Sequence, residues 1–155
     1  MSSLSTQHAT FTIDRKFDAP LAWVYAAFAT EAGKSRWFGG GEKWQPIERR
    51  FDFRVGGHEY VKGRWMEGEQ KGALTVFDAL YLEILPEQRI IYTYDMQHDG
   101  RHLSISLATL EFAAAGAATE LRLTEQGAFL DGYDDAGGRE RGTRELMGRL
   151  AASLG

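Results

Sequence analysis

Glu83-Ile84-Leu85-Pro86-Glu87-Gln88-Arg89-Ile90-Ile91-Tyr92-Thr93 is the stretch that decides the fold. Two β-rich runs meet across Pro86-Glu87-Gln88, where proline presets a turn and cannot donate to a strand ladder. The run from Ile90 to Tyr94 has the branched and aromatic composition that suits a pleated surface. The reading is a hairpin of Ala73 to Leu85 and Arg89 to Met96. Toward the C-terminus, His98-Asp99-Gly100 supplies the next turn. Arg101 to Phe112 and Thr119 to Gln126 follow as strands, separated by an uncharged Ala/Gly connection. Toward the N-terminus, Ile47 to Val55 and His58 to Met66 flank a Gly56-Gly57 turn, and a polar, glycine-containing connection runs from Glu67 to Gly72. Phe11 to Phe17 alternates apolar and polar residues and makes the seventh strand, after a loose start over residues 1–9.

Helical spacing appears in three places. Asp18-Ala19-Pro20 reads as a helix start, followed by Leu21, Val24, Tyr25 and Phe28 on one face. A second short helix is expected over Glu31 to Phe38, stopped by Gly39-Gly40-Gly41. Beyond Gly127 the chain reads as a loop or helical turn through Tyr133. A charged helix then begins near Gly138, with Leu146, Met147, Leu150 and Leu154 at near-helical spacing. Strand, two short helices, six strands meandering by hairpins and one amphipathic helix make an α+β fold. Its curved antiparallel sheet needs the last helix to cover the inner face. One domain over residues 1–155 is expected, since this length buries enough surface to hold itself without disulfide or metal.

Composition narrows the function. Hydrophobic residues at 43% and charged residues at 26% belong to a folding chain rather than a disordered one. The net charge of −4, with no basic face, argues against nucleic acid. With no Cys, thiol catalysis, disulfides and thiolate metal sites are excluded. Met1 to Thr10 is polar and no apolar run is long enough to span a bilayer, so no membrane insertion and a cytoplasmic location are expected. His8, His58, His98 and His102 lack metal-ligand spacing, no phosphate-binding or nucleophile-elbow motif occurs, and no metal or cofactor is expected.

Phe17-Asp18-Ala19-Pro20, Trp37-Phe38, Phe53-Arg54-Val55-Gly56-Gly57 and the opening stretch from Glu83 to Thr93, in this order and spacing, resemble one family nearly end to end. The chain is similar to the START-like (SRPBCC) helix-grip superfamily, and within it to the C-terminal domain of the activator of heat-shock-protein-90 ATPase. The resemblance implies a sheet gripping a long C-terminal helix around an apolar cavity. One departure stands out. Where the family carries large apolar residues after the double glycine, this chain has Glu59, Val61 and Gly63, which implies a roomier, more polar cavity.

Parity then assigns faces. Leu74, Val76, Leu80, Leu82 and Ile84 share one parity, read as inner, and Asp78 falls on it. Glu59 goes with Val61 and Trp65, and Glu125 with Leu121 and Leu123. Glu59, Asp78 and Glu125 are therefore candidate cavity acids, whose charged forms desolvation would disfavour. The alternative at each is a bulge that shifts the register, or a strand end in water. Trp65, Tyr92 and Tyr94, with Trp37, Phe38 and Phe129 from helix and loop elements and Met147 from the last helix, are the candidate apolar contacts. Arg139, Arg141, Arg144 and Arg149 read as the solvated face of that helix, with Glu140 and Arg144 at ion-pair spacing.

The function expected is binding of a small hydrophobic or amphipathic molecule: lipid-like, polyketide or aromatic. The alternatives are an enzyme of cyclase, dehydratase or hydrolase type using the cavity acids, and a chaperone-activator-like interaction module that contacts a chaperone. Composition leaves a homodimer open.

Overall fold

Both hairpin turns flanking the Ile90 strand form where the sequence puts them. Glu87 takes φ 61° between β4 (Leu74–Leu85) and β5 (Arg89–His98). Asp99 and Gly100, at φ 50° and 79°, join β5 to β6 (Arg101–Ala115) in the left-handed pair of conformations that matches strand twist. The structure is a computed structural model and describes residues 4–155. The remaining elements are β1 (Thr6–Phe17), α1 (Leu21–Ala29), α2 (Glu31–Ser35), β2 (Trp44–Phe51), β3 (His58–Trp65), β7 (Ala118–Leu130) and α3 (Ala136–Leu154). All seven strands form one antiparallel sheet in the order β1-β7-β6-β5-β4-β3-β2. The fold is the α+β helix grip that the resemblance implied.

Several boundaries differ from expectation: β2 covers Trp44–Phe51 rather than Ile47 to Val55, and β6 runs to Ala115 rather than Phe112. β1 begins at Thr6 rather than Phe11, because residues 6–10 pair with Gln126 to Leu130; residues 1–3 of the expected loose start lie outside the described residues. β7 runs on to Leu130 instead of ending near Gln126. Gly127 reads as a strand stop, but a Cβ there would come within 3.0 Å of Ser106 and the Phe129 ring, so the glycine serves close packing inside the strand. α2 ends at Ser35 rather than Phe38. Trp37 turns inward there and donates its indole N–H to the Ala27 carbonyl at 2.9 Å.

The core explains the element order. α3, capped by Asp135 accepting from the Gly138 N–H at 2.7 Å, lays Met147 and Leu150 against Phe11, Ile13, Leu121 and Leu123 on the concave face. α1 adds Val24, Ala27 and Phe28. A second cluster sits toward the other end of the sheet, around Trp44, Val61, Phe77 and Tyr94.

β4 is where the parity reading fails. Phe77, Ala79 and Tyr81 are buried, while Leu82 is 47% exposed. A bulge between Tyr81 and Glu83 then shifts the register, so Ile84 does reach the core although Leu74, Val76, Asp78 and Leu80 do not share its face. Asp78 therefore points to the convex side, its side chain 45% exposed and 3.7 Å from His58 Nδ1. It is removed from the set of cavity acids.

Gly63 does not enlarge the cavity either. The Trp44 indole occupies the place its side chain would take, so that an added Cβ would overlap the ring. Trp44 is buried and anchored by donating to Thr75 Oγ1 at 2.9 Å, so it cannot swing aside freely. Gly63→Ala is expected to lower stability by about 1–3 kcal/mol, read as a reduced melting temperature, because overpacking a filled core forces backbone or rotamer shifts. An unchanged melting curve would mean that the indole is not fixed there.

Candidate functional site

Between the concave sheet and α3 lies a cavity of about 340 Å³. Small-ligand sites start near this size, at roughly 300 Å³. Its walls are chiefly aromatic: Trp37 and Phe38 after α2, Trp65 at the end of β3, Phe77 on β4, and Tyr92 and Tyr94 on β5, with Met96 and Met147 filling between them. The rings interlock, Phe38 edge to face against Phe77 at 4.7 Å and Phe77 tilted against Tyr94 at 4.9 Å between centroids.

Two polar centres are set into this wall. In the first, Arg139 of α3 reaches down to Glu125 of β7. Glu125 Oε1 accepts from the Tyr94 hydroxyl at 2.7 Å, and Oε2 from Ser106 at 3.1 Å and Arg139 Nη1 at 3.3 Å. Arg139 also donates to Tyr94 Oη, Ser104 and Asp134, and its guanidinium lies 5.3 Å from the Phe129 ring centroid. Burial opposes the Arg139 charge, but Tyr94, Glu125 and Asp134 outweigh it and the guanidinium is held more firmly protonated than usual.

In the second centre, Lys34 and Glu59 form an ion pair at 2.9 Å, with side chains only 5% and 2% exposed. Tyr81 donates to the same Glu59 oxygen at 2.6 Å. Lys34 lines the cavity and Glu59 does not. Four rings surround the ammonium, with Phe38 nearest at 4.6 Å.

The tyrosines follow from these surroundings. Burial, joined by Tyr94 and the two carboxylates, pushes the Tyr92 hydroxyl well above its ordinary range. Burial and Glu125 raise Tyr94, and burial and Glu59 raise Tyr81. All three phenols therefore remain protonated donors at neutral pH.

Of the residues singled out from sequence, Trp37, Phe38, Trp65, Tyr92, Tyr94, Glu125 and Met147 all face this cavity. Glu59 is buried but does not line it. Phe129 comes from a strand rather than a loop, and it packs under Arg139 instead of lining the space. Asp78 lies on the convex face directly across from Asp95, whose carboxyl is raised by burial and by Asp78 against the opposing pull of His102. Among the described residues no group of three or more His, Cys, Asp or Glu is arranged to hold a metal ion. No helix among them is long and apolar enough to cross a membrane.

Phe77 and Met96 of the wall escape the sequence reading, and so do the charged residues Arg139 and Lys34. That reading puts Arg139 on the solvated face, yet its side chain is 10% exposed. It stands four, eight and eleven residues before Thr143, Met147 and Leu150, which are the buried positions of α3. Lys34 stands three and four residues before Trp37 and Phe38, and this spacing is the available signal. Arg149 also leaves the solvated face, since it donates to the carbonyls of Trp37 and Gly39 and ties the segment after α2 to α3. Arg144 pairs with Glu140 as expected.

A sequence model of the family described as activator of Hsp90 ATPase homolog 1-like protein matches residues 18–155. No curated protein matches the chain. Among solved structures, the Mll3558 protein of Rhizobium loti is 42% identical, with 97% of this chain and 99% of that one covered and a TM-score of 0.85. A Rhizobium leguminosarum protein is 37% identical over 99% of this chain and 98% of that one, with a TM-score of 0.89. DynU16, a protein of the dynemicin biosynthetic locus, is 17% identical over 94% of this chain and 46% of that one, with a TM-score of 0.66, a likeness of fold alone.

Proposed function

The chain belongs to the activator of Hsp90 ATPase homolog 1-like family, and from that premise we propose that it is a small-molecule-binding protein whose cavity takes a hydrophobic or amphipathic ring-bearing ligand. The observation that carries this reading is the aromatic-walled space of about 340 Å³ left between sheet and α3, beside two clusters of buried apolar side chains. An ordinary core fills such space, because each lost contact costs dispersion energy. Here Trp65 and Tyr92 keep part of their surface open to it.

The acids favour binding over acid–base catalysis. Glu125 has both oxygens occupied by donors, Glu59 is paired with Lys34 and does not line the cavity, and Asp78 lies on the other side of the sheet. A general acid or base must reach a substrate proton. Glu125 and Glu59 act instead as anchors for the side chains that shape the wall.

The test is native mass spectrometry of protein purified from its own host, followed by a thermal-shift screen of lipids, aromatic polyketides and flavonoids. DynU16 adds small-molecule biosynthetic intermediates to the classes worth screening. A ligand present at about 100 times its Kd stabilises the native state by about 2.7 kcal/mol, an upward shift of several degrees. A protein that retains nothing and responds to no class would overturn the reading.

A further inference from the structure

Resting on that reading, we propose that Lys34 and Tyr92 form a two-donor site for an acceptor oxygen of the ligand, so that the cavity selects oxygenated ring compounds over plain hydrocarbons. The case comes from following each polar atom of the wall to its partner. Among the buried groups on the α3 side, Arg139 and Glu125 are engaged, and Arg149 is tied to the carbonyls of Trp37 and Gly39. Arg139 uses Nη1 on Tyr94 and Glu125 and Nη2 on Ser104 and Asp134, and both oxygens of Glu125 are taken. Thr75 Oγ1 already accepts from Trp44.

What remains is donor capacity. Lys34 has three N–H bonds and gives one to Glu59. The Tyr92 hydroxyl makes no side-chain hydrogen bond among the described residues, and the charges acting on it reach it only at a distance. It is not a sealed-off orphan either, for the one fully buried unpartnered side-chain atom among the described residues is Asp95 Oδ1 on another part of the sheet. Tyr92 therefore opens onto the cavity, where it lines the wall beside Lys34, whose Nζ lies 6.0 Å from its ring centroid. Glu145, a carboxylate at the rim, is exposed and meets water there.

A ligand that leaves such donors unpaired pays their desolvation, whereas one that places an oxygen between them does not. The acceptor chemistry is that of a ketone, quinone, phenolate or carboxylate. Lys34 lines the space while Glu59, outside it, cancels the net charge, which accommodates a neutral carbonyl and an ionised oxygen alike. The neighbouring faces of Phe38, Phe77 and Tyr94 take the attached ring.

Matched probes test this. Tetralin, 1-tetralone and 1-naphthoate are titrated into the full chain and followed by calorimetry, with Tyr92→Phe and the double variant Lys34→Met/Glu59→Gln beside the wild type. The wild type is expected to bind at least one oxygenated probe about tenfold or more tightly than tetralin, the value of one hydrogen bond to a charged donor. Tetralone against naphthoate tells the neutral acceptor from the anionic one. Tyr92→Phe should lose roughly three- to tenfold on that probe and nothing on tetralin, with an unchanged melting temperature because the hydroxyl has no partner to lose. The double variant should reduce the preference further without stranding a buried charge. Equal affinity of tetralin and the oxygenated probes, or an unaltered preference in Tyr92→Phe, overturns the donor site and leaves the ligand-binding reading standing. No binding of any probe together with a silent screen overturns both.

Discussion

Arg139→Met is expected to destabilise the protein by about 3–5 kcal/mol, a fall in melting temperature of roughly 10 °C, because it leaves a buried carboxylate without its counter-charge. Glu125 is 3% exposed, and after the substitution only two neutral hydroxyls, from Tyr94 and Ser106, still point at it. Ser104 and Asp134 lose a partner as well. Methionine keeps most of the arginine stem's packing, so the loss reads the charge rather than a void. The discriminating comparison is the double variant Arg139→Met/Glu125→Gln. The introduced glutamine is neutral and can still accept from Tyr94, so the pair should recover more than half of the loss, and the two single effects should be strongly non-additive. Additive losses, or a single variant as stable as the wild type, would mean that Arg139 sits in water, where an ion pair contributes little.

That arginine also shows how far the sequence can be read. The fold is legible because its signals are local and mutually consistent: turn residues at Pro86 to Gln88 and Asp99-Gly100, β-rich runs between them, and an amphipathic stretch at the end. The facing of β3, β5 and β7 is legible too, since Val61, Tyr94 and Leu123 alternate with more exposed neighbours. β4 is not. It is apolar on both parities, and the single parity read from Leu74 to Ile84 crosses a bulge that nothing in Tyr81-Leu82-Glu83 announces, so Asp78 is assigned to the wrong face. Glycines mislead in both directions. Gly127 reads as a stop and is a packing residue, and Gly63 reads as space and is filled by Trp44. Neither outcome can be inferred without knowing which side chain crosses from another strand.

The charged residues are hidden for a different reason. Composition rules send Lys and Arg outward, because burying an unpaired charge is costly. A partner removes that objection, and the partners here are distant in sequence: Glu59 for Lys34, and Glu125 for Arg139. Helical spacing places both cations beside apolar positions, but only the third dimension supplies the acids. The consequence is a cavity whose apolar walls are foreseeable except on β4, where Phe77 lies on the parity read as outer, and whose polar centres are only half so. Sequence identifies the acids and misses the bases that neutralise them.

Lys34→Met should cost more than Glu59→Gln, although the two residues share one ion pair. Removing the ammonium strands Glu59, 1% exposed, with the Tyr81 hydroxyl as its remaining donor, for a loss of about 3–5 kcal/mol. Removing the negative charge leaves the ammonium among the faces of Phe28, Trp37, Phe38 and Tyr92, which attract it, and glutamine retains an oxygen for Tyr81 and Lys34. Each such ring contributes about 0.5–2 kcal/mol when the cation is desolvated, so the expected loss is smaller, about 1–3 kcal/mol. The double variant Lys34→Met/Glu59→Gln, which buries neither charge, should unfold at a higher denaturant concentration than Lys34→Met alone. Denaturant midpoints at constant m-value measure all three. The reverse order, with Glu59→Gln the worse of the two, would show that the rings do not hold the cation, and the ammonium would then owe its place at the cavity wall to Glu59 alone.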